Sequence, residues 1–354
     1  MTKRTAASAC AGLILLALLP APASAAPVVP ARLDDSVSWG VTPAVNTFGS
    51  GRAHFDYTLD AGASLSDAMV VANHSAKAIT LRVYASDAFT THNGGIDLLP
   101  TGAKSTDVGI WVKAESDSVT LQPGQSATVP FTLSVPTNAT PGDHSGGLVT
   151  TLVDEAGANG VRVEHRLGSR VYVRVNGALH PALTVADIHA DYSGTINPAG
   201  TGSVRVSYTV RNTGNVRLSA GQSVTVEGPF GLLSRDAAVA NLPEILPGNA
   251  LTNTVTVTGV WPATRMTAQI KLTPVASGGS KPVPTNPESG SASLWAPPWG
   301  QLIVLVVIAG LVVGVITLRR RQKRRMDAVV AAAVAKALKE SQGSKEAKTA
   351  ADPA

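Results

Sequence analysis

A glycine-rich segment and seven histidines are the places in this 354-residue chain where chemistry would be sought first. Gly142-Asp-His-Ser-Gly-Gly147 is one residue away from a G-D-S-G-G loop, in which a serine hydroxyl attacks an acyl carbon beside an oxyanion hole. The inserted His144 breaks the spacing between nucleophile and backbone donors, and no histidine and aspartate stand in a matching order. The segment reads instead as a turn leading into a strand, Gly147–Val153, whose glycines allow close backbone approach. The histidines, at 54, 74, 92, 144, 165, 180 and 189, form no H-x-x-x-H pair. Asp34-Asp35 and Asp154-Glu155 are short acidic pairs of the kind found in solvated turns, so no metal or other cofactor is expected. Thr90-Thr-His-Asn-Gly-Gly-Ile-Asp97 is polar and turn-rich, and Thr91, His92, Asn93 and Asp97 could hydrogen-bond sugar hydroxyls or peptide amides. The same Asn93-Gly94 is also the sequence of a tight hairpin turn. Leu99-Pro-Thr-Gly102 lacks one residue of an L-P-x-T-G sorting signal and lies far upstream of the apolar C-terminal run.

These residues must be held by strands, because period-two alternation dominates the middle of the chain. Ile79, Leu81, Val83 and Ala85 alternate with Thr80 and Arg82; Val129, Phe131, Leu133 and Val135 alternate with Thr128, Pro130, Thr132 and Ser134. Pro130 has no N–H for a ladder, so its strand is an edge or has that side open. Val171, Val173 and Val175 alternate with Arg170, Tyr172 and Arg174, and Val204, Val206, Tyr208 and Val210 repeat the pattern. Turn signals separate these runs at Asn93-Gly94, Pro123-Gly124, Pro141-Gly142, Asn212-Thr-Gly214 and Pro247-Gly248. Short strands at this spacing, each with one polar face, build antiparallel sandwiches.

An internal repeat predicts two of them. A strand ending at Asn73 is followed by a Leu121-Gln-Pro-Gly corner, and a strand ending at Asn212 is followed by a Leu246-Pro-Gly corner. The first copy is longer, and the extra residues fall in Thr90–Thr106. The implied all-β organisation is a first sandwich over 33–177, a second over 178–276, and a Ser/Gly/Pro-rich stalk over 277–298.

The two ends carry membrane signals. Lys3 and Arg4, the apolar run Ala11–Leu19 and Ala23-Ser-Ala25 form a secretory signal peptide over 1–25, and the single cysteine, Cys10, falls inside it. The mature chain is therefore expected to have no disulfide and no thiol site. Leu302–Leu318 has no charged residue and, with Trp299-Gly-Gln, is long enough to span a bilayer over 299–318 as an α-helix. Arg319–Arg325 places six positive charges immediately after it, which makes 319–354 a basic cytoplasmic tail and the sandwiches extracellular. That tail should attract anionic lipids. Gly310-Leu-Val-Val-Gly314 fits a G-x-x-x-G face through which two such helices could pair as a homodimer. Met326–Lys339, with Val330, Val334 and Leu338 at helical spacing, extends the helix inward, lies in the interface, or docks a partner.

The net charge of +5 comes from these ends, +2 over 1–25 and +6 over 319–354, which leaves the region between them at −3. A nucleic-acid partner is excluded on that ground, since a basic footprint belongs on the folded domain.

Trp39-Gly-Val-Thr-Pro-Ala, Asn73-His-Ser, Ala88-Phe-Thr-Thr-His-Asn-Gly94, Leu121-Gln-Pro-Gly and Pro141-Gly-Asp-His-Ser-Gly-Gly147 follow in the order of the DUF916 domain. The chain thus resembles, over Val37–Asn176, the peptidoglycan-binding domain of WxL-interacting proteins. The resemblance implies two tandem immunoglobulin-like β-sandwiches on a Gram-positive cell surface, the first binding peptidoglycan and the second a host or surface partner. No Trp in the chain opens a Trp-x-Leu, which agrees with a partner of WxL proteins rather than a member. Two functions follow. One is a non-enzymatic, membrane-anchored adhesion or scaffold protein that contacts peptidoglycan. The other is a membrane-tethered accessory or chaperone-like subunit that holds another exported surface protein along a sheet edge. A hydrolase would need a clustered nucleophile, base and oxyanion hole, which the sequence does not offer.

Overall fold

Alternation becomes burial in the strand Ile79–Thr90, where Ile79, Leu81 and Val83 are buried while Thr80 and Arg82 are exposed. The computed structural model describes residues 37–153, 164–278 and 283–349; the signal peptide expected over 1–25 lies outside them, as do both acidic pairs. The first sandwich runs β1 (Trp39–Pro43), β2 (Phe55–Leu59), β3 (Ser64–Asn73), β4 (Ile79–Thr90) and β5 (Ile96–Leu98), then one helical turn, α1 (Val108–Trp111). It continues with β6 (Val112–Ala114), β7 (Ser118–Leu121), β8 (Ser126–Ser134), β9 (Gly142–Val153) and β10 (Glu164–Val175). One sheet has the order β1-β3-β8-β6; the other is β2-β10-β9-β4-β5, with β7 also on β4. Phe55, Met69, Leu81, Phe131, Leu133 and Leu148 lie fully buried between them. Each such side chain contributes about 1.5–3 kcal/mol relative to exposure.

The second sandwich comprises β11 (Leu183–Ser193), β12 (Gly202–Asn212), β13 (Leu218–Glu227), β14 (Arg235–Asp236), β15 (Leu242–Ile245), β16 (Ala250–Val260), β17 (Thr264–Ala276) and β18 (Glu288–Ala296). Its sheets are β11-β12-β16 and β14-β13-β17-β18, with β15 on β13. They enclose a second core that includes Val206, Tyr208, Leu218, Ile245, Met266 and Ile270. The chain is thus all-β, two tandem sandwiches of the immunoglobulin-like kind, followed by one long helix, α2 (Trp299–Thr349).

The repeat is closed in both copies by the same buried amide. Asn73 Nδ2 lies within hydrogen-bond distance of the carbonyls of Lys77 (2.9 Å), Leu121 (3.1 Å) and Gln122 (3.1 Å), and Oδ1 accepts from the Ser75 N–H (2.8 Å). Asn212 Nδ2 donates to Val216 (2.8 Å) and Ile245 (2.9 Å), and Oδ1 accepts from the Gly214 N–H (3.1 Å). The backbone matches too: Gly124 N–H donates to Asn73 O (3.1 Å) and Gly248 N–H to Asn212 O (3.0 Å). The Pro-Gly corner is therefore the acceptor that the strand-ending Asn requires.

Several expectations are corrected. The Gly142–Gly147 segment is not a turn but the first half of β9. Its glycines do admit close neighbours, since a Cβ on Gly146 would meet the Ser86 carbonyl at 2.7 Å. β8 is an interior strand; Pro130 pairs with Ala68 just beyond the point where β6 stops, at Ala114 opposite Phe131, so its missing N–H faces the open side. The outer face of β10 is solvated only in part, Arg170 being exposed. Tyr172 and Arg174 are buried there because the second sandwich covers them. Residues 288–296 are not stalk: they form β18, paired with β17 from Leu272↔Glu288 to Thr264↔Ala296. Small and hydroxyl side chains on its outward positions made an edge strand look like a linker. α2 continues unbroken through Met326–Lys339, so that segment extends the helix.

Replacing Asn212 with Ala should cost about 2–4 kcal/mol, because two buried carbonyls lose their donor. Chemical denaturation measures this; Asn138→Ala, at an exposed turn position, is the neutral comparison.

Candidate functional site

The hairpin joining β4 to β5 carries the four candidate ligand residues. Thr91 N–H donates to Gly95 O (2.8 Å), Gly94 N–H donates to Thr91 O (2.9 Å), and Gly94 takes φ +80°. The Asn-Gly turn is therefore built as such. Thr91 Oγ1 is spent on Gly95 O (3.2 Å), and Asp97 accepts from the Leu98 N–H (2.8 Å) and faces Arg166 (3.8 Å). His92 and Asn93 remain exposed at the tip.

The hairpin also leans on the second sandwich. Thr90 N–H donates to Asn249 Oδ1 (3.0 Å), and the Leu246 N–H donates to Thr90 Oγ1 (3.1 Å). Gly94 is buried against Pro243 and Leu251, where a Cβ would overlap the proline. Asn93 thereby lines a groove of about 510 Å³ with Gln222, Ala240, Pro243, Leu251 and Asn253. Tyr208 donates its hydroxyl proton to Gln222 Oε1, and Asn253 Nδ2 donates to both Tyr208 Oη (3.1 Å) and Gln222 Oε1 (3.1 Å). Polar and uncharged, the groove suits neutral donors and acceptors such as hydroxyls and amides.

Beside the hairpin, charge is buried between the sandwiches. Arg174 grips Asp143 through two bonds, Nε to Oδ1 (2.6 Å) and Nη2 to Oδ2 (2.7 Å). From the other sandwich the Arg217 N–H donates to Asp143 Oδ2 (2.7 Å). The Arg217 guanidinium stacks 3.7 Å from the Tyr172 ring centroid and reaches Glu244 (3.1 Å) and Asp56 (3.4 Å). Asn215 extends the seam, donating to the carbonyls of Pro141 (2.9 Å) and Ala178 (2.9 Å). The Asp143 side chain is 1% exposed, so the carboxylate is held by these donors and not by water.

His144, the next residue, turns to the first sandwich. Its Nδ1 lies 2.8 Å from Asp107 Oδ1 and its Nε2 lies 2.9 Å from the Thr140 carbonyl. Only an imidazolium donates to two acceptors at once. Burial pulls the His144 pKa down, but the Asp107 hydrogen bond and charge outweigh burial and raise it above 6.5. Ser145 is 6% exposed, borders a cavity of about 260 Å³ with His144 and Asn215, and its Oγ has no hydrogen-bond partner. Both nitrogens of His144 are engaged elsewhere, so His144 is not paired with that hydroxyl. Among the described residues there is no group of three or more His, Cys, Asp or Glu that could hold a metal.

Sequence reading missed a second buried carboxylate, Asp67. It accepts from Arg52 (2.6 Å), Tyr57 Oη (2.5 Å), Asn46 (2.5 Å) and the Ala68 N–H (2.6 Å). Burial alone would raise its pKa; these donors hold it down at about 2. The signal was present, since Asp67 stands in the inward phase of β3 with Leu65, Met69 and Val71. In α2, Gly310 and Gly314 are both open, with no atom near where a Cβ would stand. α2 is long and apolar enough to cross a membrane by length and composition.

Asp143→Asn should destabilise the chain by about 3–5 kcal/mol in chemical unfolding, because two arginines lose their buried counter-charge. His144 has the opposite pH sense to an acid. Its raised folded pKa makes its stabilisation complete below about pH 6.5 and progressively lost as pH climbs through the folded value. Melting temperature measured between about pH 5.5 and 8.5 should decline more in the wild type than in His144→Gln.

Among solved structures, one similar chain is the class 5 fimbriae chaperone CfaA, at 10% identity over 73% of this chain and 98% of that chain, with a TM-score of 0.31. A chain of the CsuC–CsuE chaperone–tip adhesion subunit complex from Acinetobacter baumannii aligns at 13% identity, over 71% and 98%, with a TM-score of 0.34. A chain of the Salmonella enterica SafA pilin–SafB chaperone complex aligns at 10%, over 72% and 95%, with a TM-score of 0.32. No curated protein matches the chain. Residues 43–151 match the family described as WxL Interacting Protein, peptidoglycan binding domain, a narrower span than the resemblance over Val37–Asn176. That match takes in the greater part of the first sandwich, from Pro43 in β1 to Thr151 in β9.

Proposed function

We propose that the chain is a non-enzymatic adhesion or scaffold protein of the cell surface, anchored by α2, whose first sandwich contacts peptidoglycan. The observation that carries this reading is the family match over residues 43–151. The helix after the second sandwich supplies the anchor, and the six positive charges of Arg319–Arg325 favour the sandwiches outside and the tail inside, against anionic lipids. The open Gly310 and Gly314 leave room for a second copy's helix. For the wall contact, His92 and Asn93 at the exposed hairpin tip offer donors and acceptors beside the uncharged groove.

A second reading, a holder of another exported protein, is favoured by β16. Its only ladder partner among the described strands is β12, and Thr252, Asn253 and Thr254 line the groove on its other side. An extended segment could add there as a further strand.

Full-length protein in detergent, mixed with insoluble purified peptidoglycan and sedimented, tests the first reading. The chain should pellet with the wall, and His92→Ala/Asn93→Ala should reduce the retained fraction several-fold at unchanged melting temperature. Pelleting no greater than that of an unrelated immunoglobulin-like protein refutes wall binding. Wild-type retention by the double variant moves the contact off the hairpin.

A further inference from the structure

The register of the second sandwich sorts its loops into two groups. Asn212, Ala250, Leu218 and Ala276 all lie at the end facing the first sandwich, because Leu183 pairs with Asn212, Arg211 with Ala250 and Leu218 with Ala276. The loops 194–201, 228–234 and 261–263 therefore gather at the opposite end, where Thr264 pairs with Ala296. That is the end from which the chain leaves for α2, after Pro297-Pro298 alone. The helix start touches this surface directly, since Gln301 Nε2 donates to the Pro198 carbonyl (2.8 Å).

These loops do not look like those of a solvated domain end. No Asp, Glu, Lys, Arg or His occurs in 194–201, 228–234, 261–263 or 297–298. Large apolar side chains project from them instead: Phe230 is 99% exposed, Ile196 77% and Leu232 63%, joined by Leu233, Trp261, Trp295 and Trp299. Among the described residues, three of the four non-glycine residues with positive φ are here as well, Phe230 (61°), Leu233 (59°) and Thr264 (55°). Two of them hold large apolar groups outward in a backbone conformation that disfavours such side chains. Arg235 and Arg265, both exposed, stand just behind the apolar tips.

We propose that this end of the second sandwich is a lipid-contacting platform seated on the outer face of the bilayer that α2 crosses. The inference rests on α2 being the membrane anchor, as read above. Only two residues separate β18 from the helix, so the apolar loops are tethered at the depth where headgroups meet acyl chains. Phe230, Leu232, Leu233 and Ile196 enter that boundary, the tryptophans take the interfacial position, and Arg235 and Arg265 face lipid phosphates.

The test uses full-length protein carrying Cys10→Ser, reconstituted in phosphatidylcholine–phosphatidylglycerol vesicles. Single cysteines, Phe230→Cys and Ile196→Cys, are labelled with an environment-sensitive dye, alongside Val307→Cys in the helix and Lys104→Cys on the first sandwich. Dyes at 230 and 196 should be quenched roughly twofold by lipids spin-labelled near the glycerol, and the dye at 104 should not. Dyes at 230 and 196 quenched by aqueous iodide like that at 104, while 307 is lipid-quenched, overturn the platform and leave the anchor standing. Dyes at 230 and 196 shielded from both quenchers overturn it in favour of a protein cover. A dye at 307 accessible to iodide removes the anchor and the platform with it.

Discussion

Each sandwich is closed by a single buried carboxamide. At the end of β3 and again at the end of β12, an asparagine turns its side chain inward and donates to a corner carbonyl, Leu121 O in the first copy and Ile245 O in the second. Leaving such carbonyls bare in the core would cost more than the bonds return in net stability, so the amide is an obligation imposed by the corner. Because the acceptor sits two residues before the Pro-Gly step in both copies, the turn and the strand end are specified together. The two packed cores, with Phe131 in one and Tyr208 in the other, then fall on either side of a shared seam.

The seam solves the same problem with charge. Asp143 sits on the first sandwich and takes a bidentate Arg174 from its own sheet and a backbone N–H from Arg217 across the gap. A buried pair of this kind adds little net stability against an apolar substitute, but it penalises any arrangement in which one partner is left alone. It thus favours one placement of the sandwiches over its neighbours, and Asn215, Asn249 and the Thr90 hairpin follow from that placement. Asn93 borders the groove of the second sandwich only because the hairpin of one sandwich lies against Pro243 and Leu251 of the other.

What could be read from residues alone was whatever depends on local period. The inward sets of β4 and β12, the Asn-Gly hairpin and the Asn-to-Pro-Gly repeat were all visible because side-chain alternation and turn chemistry are short-range. Features set by contact between the sandwiches were not. Tyr172 and Arg174 carry the pattern of an exposed face, and they are buried by groups remote in sequence, Arg217 over Tyr172 and the Ser277 and Gly278 carbonyls on Arg174. Gly142–Gly147 has turn composition but pairs as strand because β10 and β4 flank it. β18 was hidden for a related reason: serines on its outward positions and the small Gly290 and Ala292 on its inward ones, with Leu294 and Ala296 alone buried toward its end, leave no alternation strong enough to see. Asp67 was legible and overlooked, an acid in the inward phase of an apolar strand.

The pairing of β18 with β17 has a mechanical consequence. The backbone enters the second sandwich at Leu183, beside the first sandwich, and departs at Ala296, beside α2. Any tension between those points pulls along the strands, at right angles to the hydrogen bonds of an antiparallel ladder. Load is then shared by the whole run from Thr264↔Ala296 to Leu272↔Glu288 at once, in shear, and is not concentrated on one bond at a time as in peeling. A terminal strand joined straight to the helix thus makes the domain resist stretching, where a loose tether would only have paid out slack.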